Sequence, residues 1–293
     1  MSIKAPLAVS VTSHHSQTQG KQVLMKALHL DEIPGAMDRM GWTVSARMMR
    51  RWFARQPAWV MPRDVREGKS DPRQLSQAQY EDQLIKLEWV AGFPRTHAAF
   101  TDLVSNWASP AGIELLTTRL TDAGWKNGQL LPFDLGRGLT SGRDLAAVCQ
   151  VNARSIGSKT DVLDDLYGAL GKAVLHAAVV GRTTFNPLSR RTTFHPAKLG
   201  VYVRDTYDFT DTRFEKHIPL GIWSRDRCLN KAETADFALL TSPGQLSTKF
   251  PGFVPVYNDD FRRWQAHHKT GSDFVVYSDV TWTTRDLQPI LIP

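Results

Sequence analysis

Nowhere does the 293-residue chain approach the ~18 consecutive apolar residues that a membrane-spanning helix needs. Cysteine occurs only twice, at Cys149 and Cys228. That rules out a disulfide framework, and no Cys-x-x-Cys or Cys/His spacing suggests structural zinc. The opening residues Met1–Ser10 hold one lysine and no extended apolar stretch, so no cleaved secretory signal is expected. The Gly-x-Ser-x-Gly elbow, the Walker loop, His-Glu-x-x-His and Gly-x-Gly-x-x-Gly are all missing. Serine-hydrolase, nucleotide-binding and zinc-protease readings therefore have no footing. There are no internal repeats.

What is present suits a folded protein with a large core. Hydrophobic residues make up 42%, and nine tryptophans and thirteen phenylalanines supply bulk. Net charge is +7, which favours anionic partners. The positive charge is dispersed, however. Its densest groups are Arg47, Arg50, Arg51 and Arg55, then Arg190–Arg191. No nucleic-acid reader motif accompanies them, which speaks against that class of partner.

Three regions are expected: a polar leader over 1–30, a helical domain over 31–140, and a β-rich domain over 141–293. The leader holds the tract Ser10–Gln22 with His14 and His15. Residues 31–62 read as one helix, with Pro34 in its first turn and Pro57 at its end. Its apolar residues recur at spacings of three and four, with the arginines on a solvated side. Further helices are expected over Ser76–Ala91, Thr96–Trp107 and Ala111–Ala123. Thr160 reads as a helix cap, followed by Asp161, Asp164 and Asp165. These three could hold Mg2+ or Ca2+, but a first helical turn explains them better as caps. Cys149 follows the apolar run Leu145–Val148 and reads as a buried small hydrophobe.

From Lys172 the pattern turns to short β-branched runs. Ala173–Val180 and Leu199–Val203 read as strands, with Ile218–Trp223 as partner to the second. Phe274–Tyr277 and Val280–Thr284 read as a later pair, and Lys231–Leu240 as a helix capped by Asn230. Helices and strands are segregated rather than alternating. The fold expected is α+β, a helical N-terminal half followed by an antiparallel sheet or small barrel.

The densest polar stretch is Val203-Arg-Asp-Thr-Tyr-Asp-Phe209. Alternation sets Asp205 and Tyr207 on one face, while Asp208 turns to the other or starts the loop. Two carboxylates at a strand end can bind a divalent metal, Mg2+ being the natural choice, or activate water. Arg204, Arg213 and Lys216 could hold phosphate oxygens, and His217 could carry a proton. The alternative is an ordinary hairpin rim, with Arg204 paired to an aspartate and Tyr207 packed. His267–His268 could supply a ligand or base, or simply complement a helix end. His195 is expected in a basic loop.

The stretches Leu199–Phe209, Leu220–Trp223 and Leu229–Glu233 resemble an uncharacterised proteobacterial family with a Tyr-Val-Arg-Asp motif. Asp164–Gly171, Ile33–Met37, Phe261–Trp264 and Asp273–Tyr277 fit it as well. The resemblance covers the chain from about residue 30. It implies an association with type VI secretion, as cargo or accessory protein. Asp205-Thr-Tyr207-Asp208 is also similar to the catalytic stretch of the colicin M family, which cleaves lipid II with a divalent metal. The His-Arg pair that follows in that family is missing here, since His217 comes later and precedes Ile218.

The resemblances together imply an antibacterial effector, a metal-dependent hydrolase of a phosphate-bearing envelope precursor with Asp205, Tyr207, Asp208 and His217 at its site. Its partners would be the secretion apparatus or an adaptor, and a cognate immunity protein. It would be made in the cytoplasm and delivered to the periplasm of a target cell. The alternatives are a non-enzymatic adaptor, chaperone or immunity protein, and a nucleic-acid-binding protein.

Overall fold

The structure is a computed structural model and describes residues 28–158, 160–211, 218–240 and 243–293. The tract Ser10–Gln22 and the candidate site residues Arg213, Lys216 and His217 lie outside the described residues.

Two helices, α1 (Ile33–Arg39) and α2 (Thr43–Ala54), stand where one was expected. Gly41 divides them. Its φ of +78° is readily adopted only by glycine and reverses the chain. Met37, Met48, Met49 and Trp52 all reach the core. The arginine side is not a free basic surface. Arg50 pairs with Asp38, and Arg51 and Arg55 converge on buried Glu81.

Next come α3 (Arg63–Arg66), β1 (Tyr80–Glu81), α4 (Leu87–Ala91), α5 (Pro94–Ser105) and α6 (Pro110–Asp122). The helix expected over Ser76–Ala91 is replaced by a 3-10 turn, β1 and α4. Tyr80 and Glu81 pair in parallel with Val275 and Val276, and Glu81 collects Arg51 and Arg55. This tertiary pairing outweighs a weak local helical preference. Helices α5 and α6 form as expected, each with proline at its first position.

The remaining elements begin with β2 (Phe133–Leu135), α7 (Gly142–Val148), β3 (Gln150–Ile156) and α8 (Asp165–Leu170). They continue with β4 (Ala173–Asn186), β5 (Arg191–Tyr207), β6 (Gly221–Trp223), α9 (Lys231–Leu239) and α10 (Pro243–Lys249). The chain ends with β7 (Val254–Val256), α11 (Asn258–His268), β8 (Phe274–Tyr277), β9 (Thr281–Thr283) and β10 (Ile290–Ile292).

The aspartates before α8 act as caps. Asp164, rather than Thr160, is the N-cap, accepting from the Tyr167 amide while Arg95 grips it with two bonds of 2.6 Å. Asp165 reaches across to α2 and accepts from the amides of Val44 and Ser45 at 3.0 and 2.8 Å. One carboxylate thus satisfies the orphan donors of another helix. Asn230 caps α9, and Glu233 returns a bond to complete the box.

Eight strands form one mixed sheet in the order β1-β8-β5-β4-β2, with β3 beside β4 and with β9 and β10 beside β5. Strands β4 and β5 make a long hairpin, from Val174 opposite Arg204 to Asn186 opposite Arg191. Both outrun the apolar cores recognised in the sequence, and His195 lies within β5 rather than in a loop. Segment Ile218–Trp223 was expected to pair with β5. Its strand, β6, pairs instead with β7 in a separate two-stranded sheet. Strands β8 and β9 each pair with β5 and not with each other. The architecture is α+β, with helices dominating the first half and strands the second.

A continuous hydrophobic cluster runs from Ile33 to Ile292 and joins helices to sheet. A smaller one, Ile222, Leu229 and Phe250, packs with Phe237 of α9. Among the described residues no helix is long and apolar enough to cross a membrane.

Candidate functional site

Between Leu199 and Tyr207, β5 pairs with β4 and β8 without a register shift. Its side chains therefore alternate strictly between two faces. Tyr202 and Arg204 fall on one face, and Val203, Asp205 and Tyr207 on the other. The sheet separates Arg204 from two of the residues with which the sequence grouped it.

On the second face Tyr207 is a core ring. It stacks on its cross-strand neighbour Phe274 at 5.2 Å and meets Phe209 edge-on. Burial pushes its phenol above the ordinary range. Burial also raises the Asp205 carboxyl well above the usual carboxylate range, and the charge of Asp208 adds to the rise. The Asp208 side chain is only 9% exposed and pairs with Arg66 of α3 at 3.6 Å.

These two carboxylates are coupled, one favouring its proton and the other ion-paired. Hard cations are held by ionised, available carboxylates. Among the described residues no group of three His, Cys, Asp or Glu could hold a divalent metal.

The first face carries the more unusual chemistry. A cleft of about 210 Å3 opens there, floored by His176 of β4, Arg204 of β5 and Val275 and Tyr277 of β8. Arg119 of α6, Ala146 of α7 and Gln150 of β3 form one wall. Val65 and the segment from Glu67 to Leu75 form the other. Arg204 lies directly opposite Tyr277 in the ladder and donates to the Val65 carbonyl at 2.9 Å. Gly68 crosses over the guanidinium with φ of +70°. A Cβ there would come within 3.4 Å of Arg204, so glycine permits the close approach.

The cleft is rich in donors that lack partners. Neither Arg204 nor Arg119 makes an ion pair among the described residues. Arg119 has only long bonds of 3.4 Å to the carbonyls of Gln150 and Ala147. The rim acids are already spent, Glu67 on Arg63 and Lys69, and Asp71 on Arg73. The buried hydroxyls of Tyr202 and Tyr277 and the Nδ1 of His176 have no hydrogen-bond partner. Tyr277 faces Arg204 without a well-formed bond. Burial, with Arg204 nearby, holds the His176 imidazole down to about 3, so it is neutral near pH 7. The ring stacks on Tyr202 at 5.5 Å. Burial raises both phenols, which stay protonated as donors.

Native proteins satisfy nearly all buried polar groups. A pair of unneutralised guanidiniums above three orphaned polar atoms is therefore a concentrated exception, and exceptions of this kind mark binding sites. Sequence reasoning singled out Arg204 and missed Arg119, His176, Tyr202 and Tyr277. These come from four elements, and only the β4–β5–β8 register brings three of them together. The one linear signal was a histidine and a tyrosine embedded in apolar strand runs.

A second polar cluster is closed. Asp273 is fully buried, and Arg262 donates to both its oxygens at 2.9 and 2.7 Å. Trp52 Nε1 and the Met61 amide donate as well, at 3.0 and 2.9 Å. Every lone pair has a use, so this cluster ties α2, α11 and β8 together. The thiols are also structural. Burial pushes Cys149 up to about 12 and Cys228 up to about 11, which leaves both unreactive. His267 and His268 close α11, with His268 stacked on Trp264 at 4.3 Å.

A family profile matches residues 28–291, and the chain belongs to that family, a family of unknown function (DUF6402). No curated protein and no solved structure matches it.

Proposed function

We propose, since the family brings no activity with it, that this protein binds a small phosphate-bearing molecule in the cleft beside β5. The observation that carries the reading is the pair of arginines, Arg204 and Arg119, which face one cavity and ion-pair with no carboxylate among the described residues, the two acids of its rim, Glu67 and Asp71, being paired with other cations. Both guanidiniums are half-buried, and partly desolvated cationic charge without a counter-ion is costly unless a ligand supplies one. Two guanidiniums, the Tyr277 phenol and a neutral imidazole offer more donors than the two oxygens of a carboxylate need, and they suit a phosphate better. The cavity of about 210 Å3 would hold roughly seven waters. That suits a phosphate with a few attached carbons.

Calorimetric titration with inorganic phosphate, glycerol phosphate and acetate tests the reading. Both phosphates should bind with a competitive signature, and acetate at least tenfold more weakly. Absence of phosphate binding would remove the proposal.

A second reading, phosphoester hydrolysis by an envelope-directed effector, is favoured by one observation. Asp205 has a raised pKa and is coupled to Asp208 at the end of the strand that carries Arg204. A carboxyl that holds its proton more tightly than usual is suited to acid–base catalysis. The reading expects Asp205→Asn and Asp208→Asn to abolish toxicity when the protein is directed to the periplasm of a susceptible bacterium. Toxicity that survives both changes eliminates it.

A further inference from the structure

The far end of the β4–β5 hairpin has no role in the cleft, and its composition is unlike the rest of the surface. The turn Pro187–Arg190 projects beyond the last pair, Asn186 opposite Arg191. Leu188 at this tip is 97% exposed. Leu130 and Leu131 precede β2, whose Phe133 pairs with Thr183 near the same end. They are 70% and 79% exposed. Asn127 accepts a bond from Thr192 at 3.4 Å and pins this loop beside the turn end of the hairpin. Leu291 of β10, opposite Thr193, is exposed on the other side. Four large aliphatic side chains thus surround one end of the sheet.

Charge accompanies them. Arg190, Arg191 and Lys126 are exposed and make no ion pair among the described residues. The nearest strand acid, Asp134 of β2, is already held by Arg182 and Arg137. Asp122 and Glu114 of α6 lie beside Pro293, which follows Ile292 of β10 opposite Thr192, and neither pairs with Arg190, Arg191 or Lys126 among the described residues. A leucine so fully exposed stands on a convex point. A protein partner would need a matching pocket, whereas a lipid headgroup region accepts a protruding apolar side chain directly. Unpaired arginines beside it complement anionic headgroups.

We infer that this hairpin end is a peripheral docking surface for anionic lipid bilayers. Leu188, Leu130 and Leu131 enter the interface, while Arg190 and Arg191 meet the lipid phosphates. The test uses the full chain and vesicles of phosphatidylcholine with or without phosphatidylglycerol. The two native cysteines are buried, so Leu188→Cys can be labelled selectively with an environment-sensitive fluorophore. Its emission should shift to shorter wavelength only with the anionic vesicles. Sedimentation with those vesicles should weaken about fivefold for each of Arg190→Gln and Arg191→Gln, and should be lost in Leu188→Asp. All these positions are exposed, and unchanged circular dichroism confirms folding. No sedimentation, equal sedimentation with neutral vesicles, or wild-type binding by Leu188→Asp would overturn the inference.

Discussion

Two arginine-centred clusters lie close to the same sheet and differ in one respect. Around Asp273 every donor has an acceptor: Arg262, Trp52 and the Met61 amide spend their hydrogens on one buried carboxylate. Around Arg204 the donors outnumber the acceptors, and Tyr202, Tyr277 and His176 are left with unpaired atoms. A closed cluster is explained by the fold it holds together. An open one is not, because it costs stability and returns none. The contrast separates architecture from function without reference to any relative.

The largest expected effect lies in the closed cluster. Asp273→Ala strands Arg262 and removes the acceptor shared by α2 and α11, and should cost roughly 3–5 kcal/mol in urea denaturation. A loss below about 1 kcal/mol would mean that the cluster is not the keystone described. Asp205→Asn should act in the opposite direction and more weakly. The folded protein holds the Asp205 proton to higher pH than the unfolded chain, whose carboxyl titrates near 3.8. Stability contributed by this group is therefore complete below pH 3.8 and falls as pH rises. Asparagine removes that decline, so the variant should melt higher at pH 7, by about 2–4 °C for each kcal/mol regained. The gain should vanish on approach to pH 3.8. A variant that is less stable at pH 7 would show that the carboxylate is ionised and needed.

How much of this was legible in the sequence depends on whether the signal was local. Helices α5, α6 and α9 announce themselves by proline or asparagine at the start and by apolar periodicity. The cores of β4, β5 and β8 do so by β-branched runs. Strand β1 was hidden because two residues carry no periodicity, and its strand character comes from Val275 and Val276, almost 200 positions away. The partner of β6 was misjudged for the same reason, since a three-residue strand does not encode its neighbour. Alternation correctly set Asp205 and Tyr207 on one face of β5. It also implied that Arg204 faces away from them, a consequence that the compactness of the Arg204–Asp208 motif concealed. Proximity along a strand reads as a site, yet every second residue belongs to the opposite surface. The companions of Arg204 lie across the ladder and on α6, where linear spacing carries no information.

The measurement closest to the central claim is a pair of determinations on Arg204→Gln: its stability without ligand, and its affinity for phosphate beside the wild type. An open binding cluster predicts stability equal to or above the wild type. It also predicts affinity lower by about 10- to 150-fold, the loss of one charged hydrogen-bond partner. A variant that unfolds several kcal/mol more easily while binding phosphate unchanged would contradict the account. Arg204 would then belong with Asp273 among the residues that hold the fold.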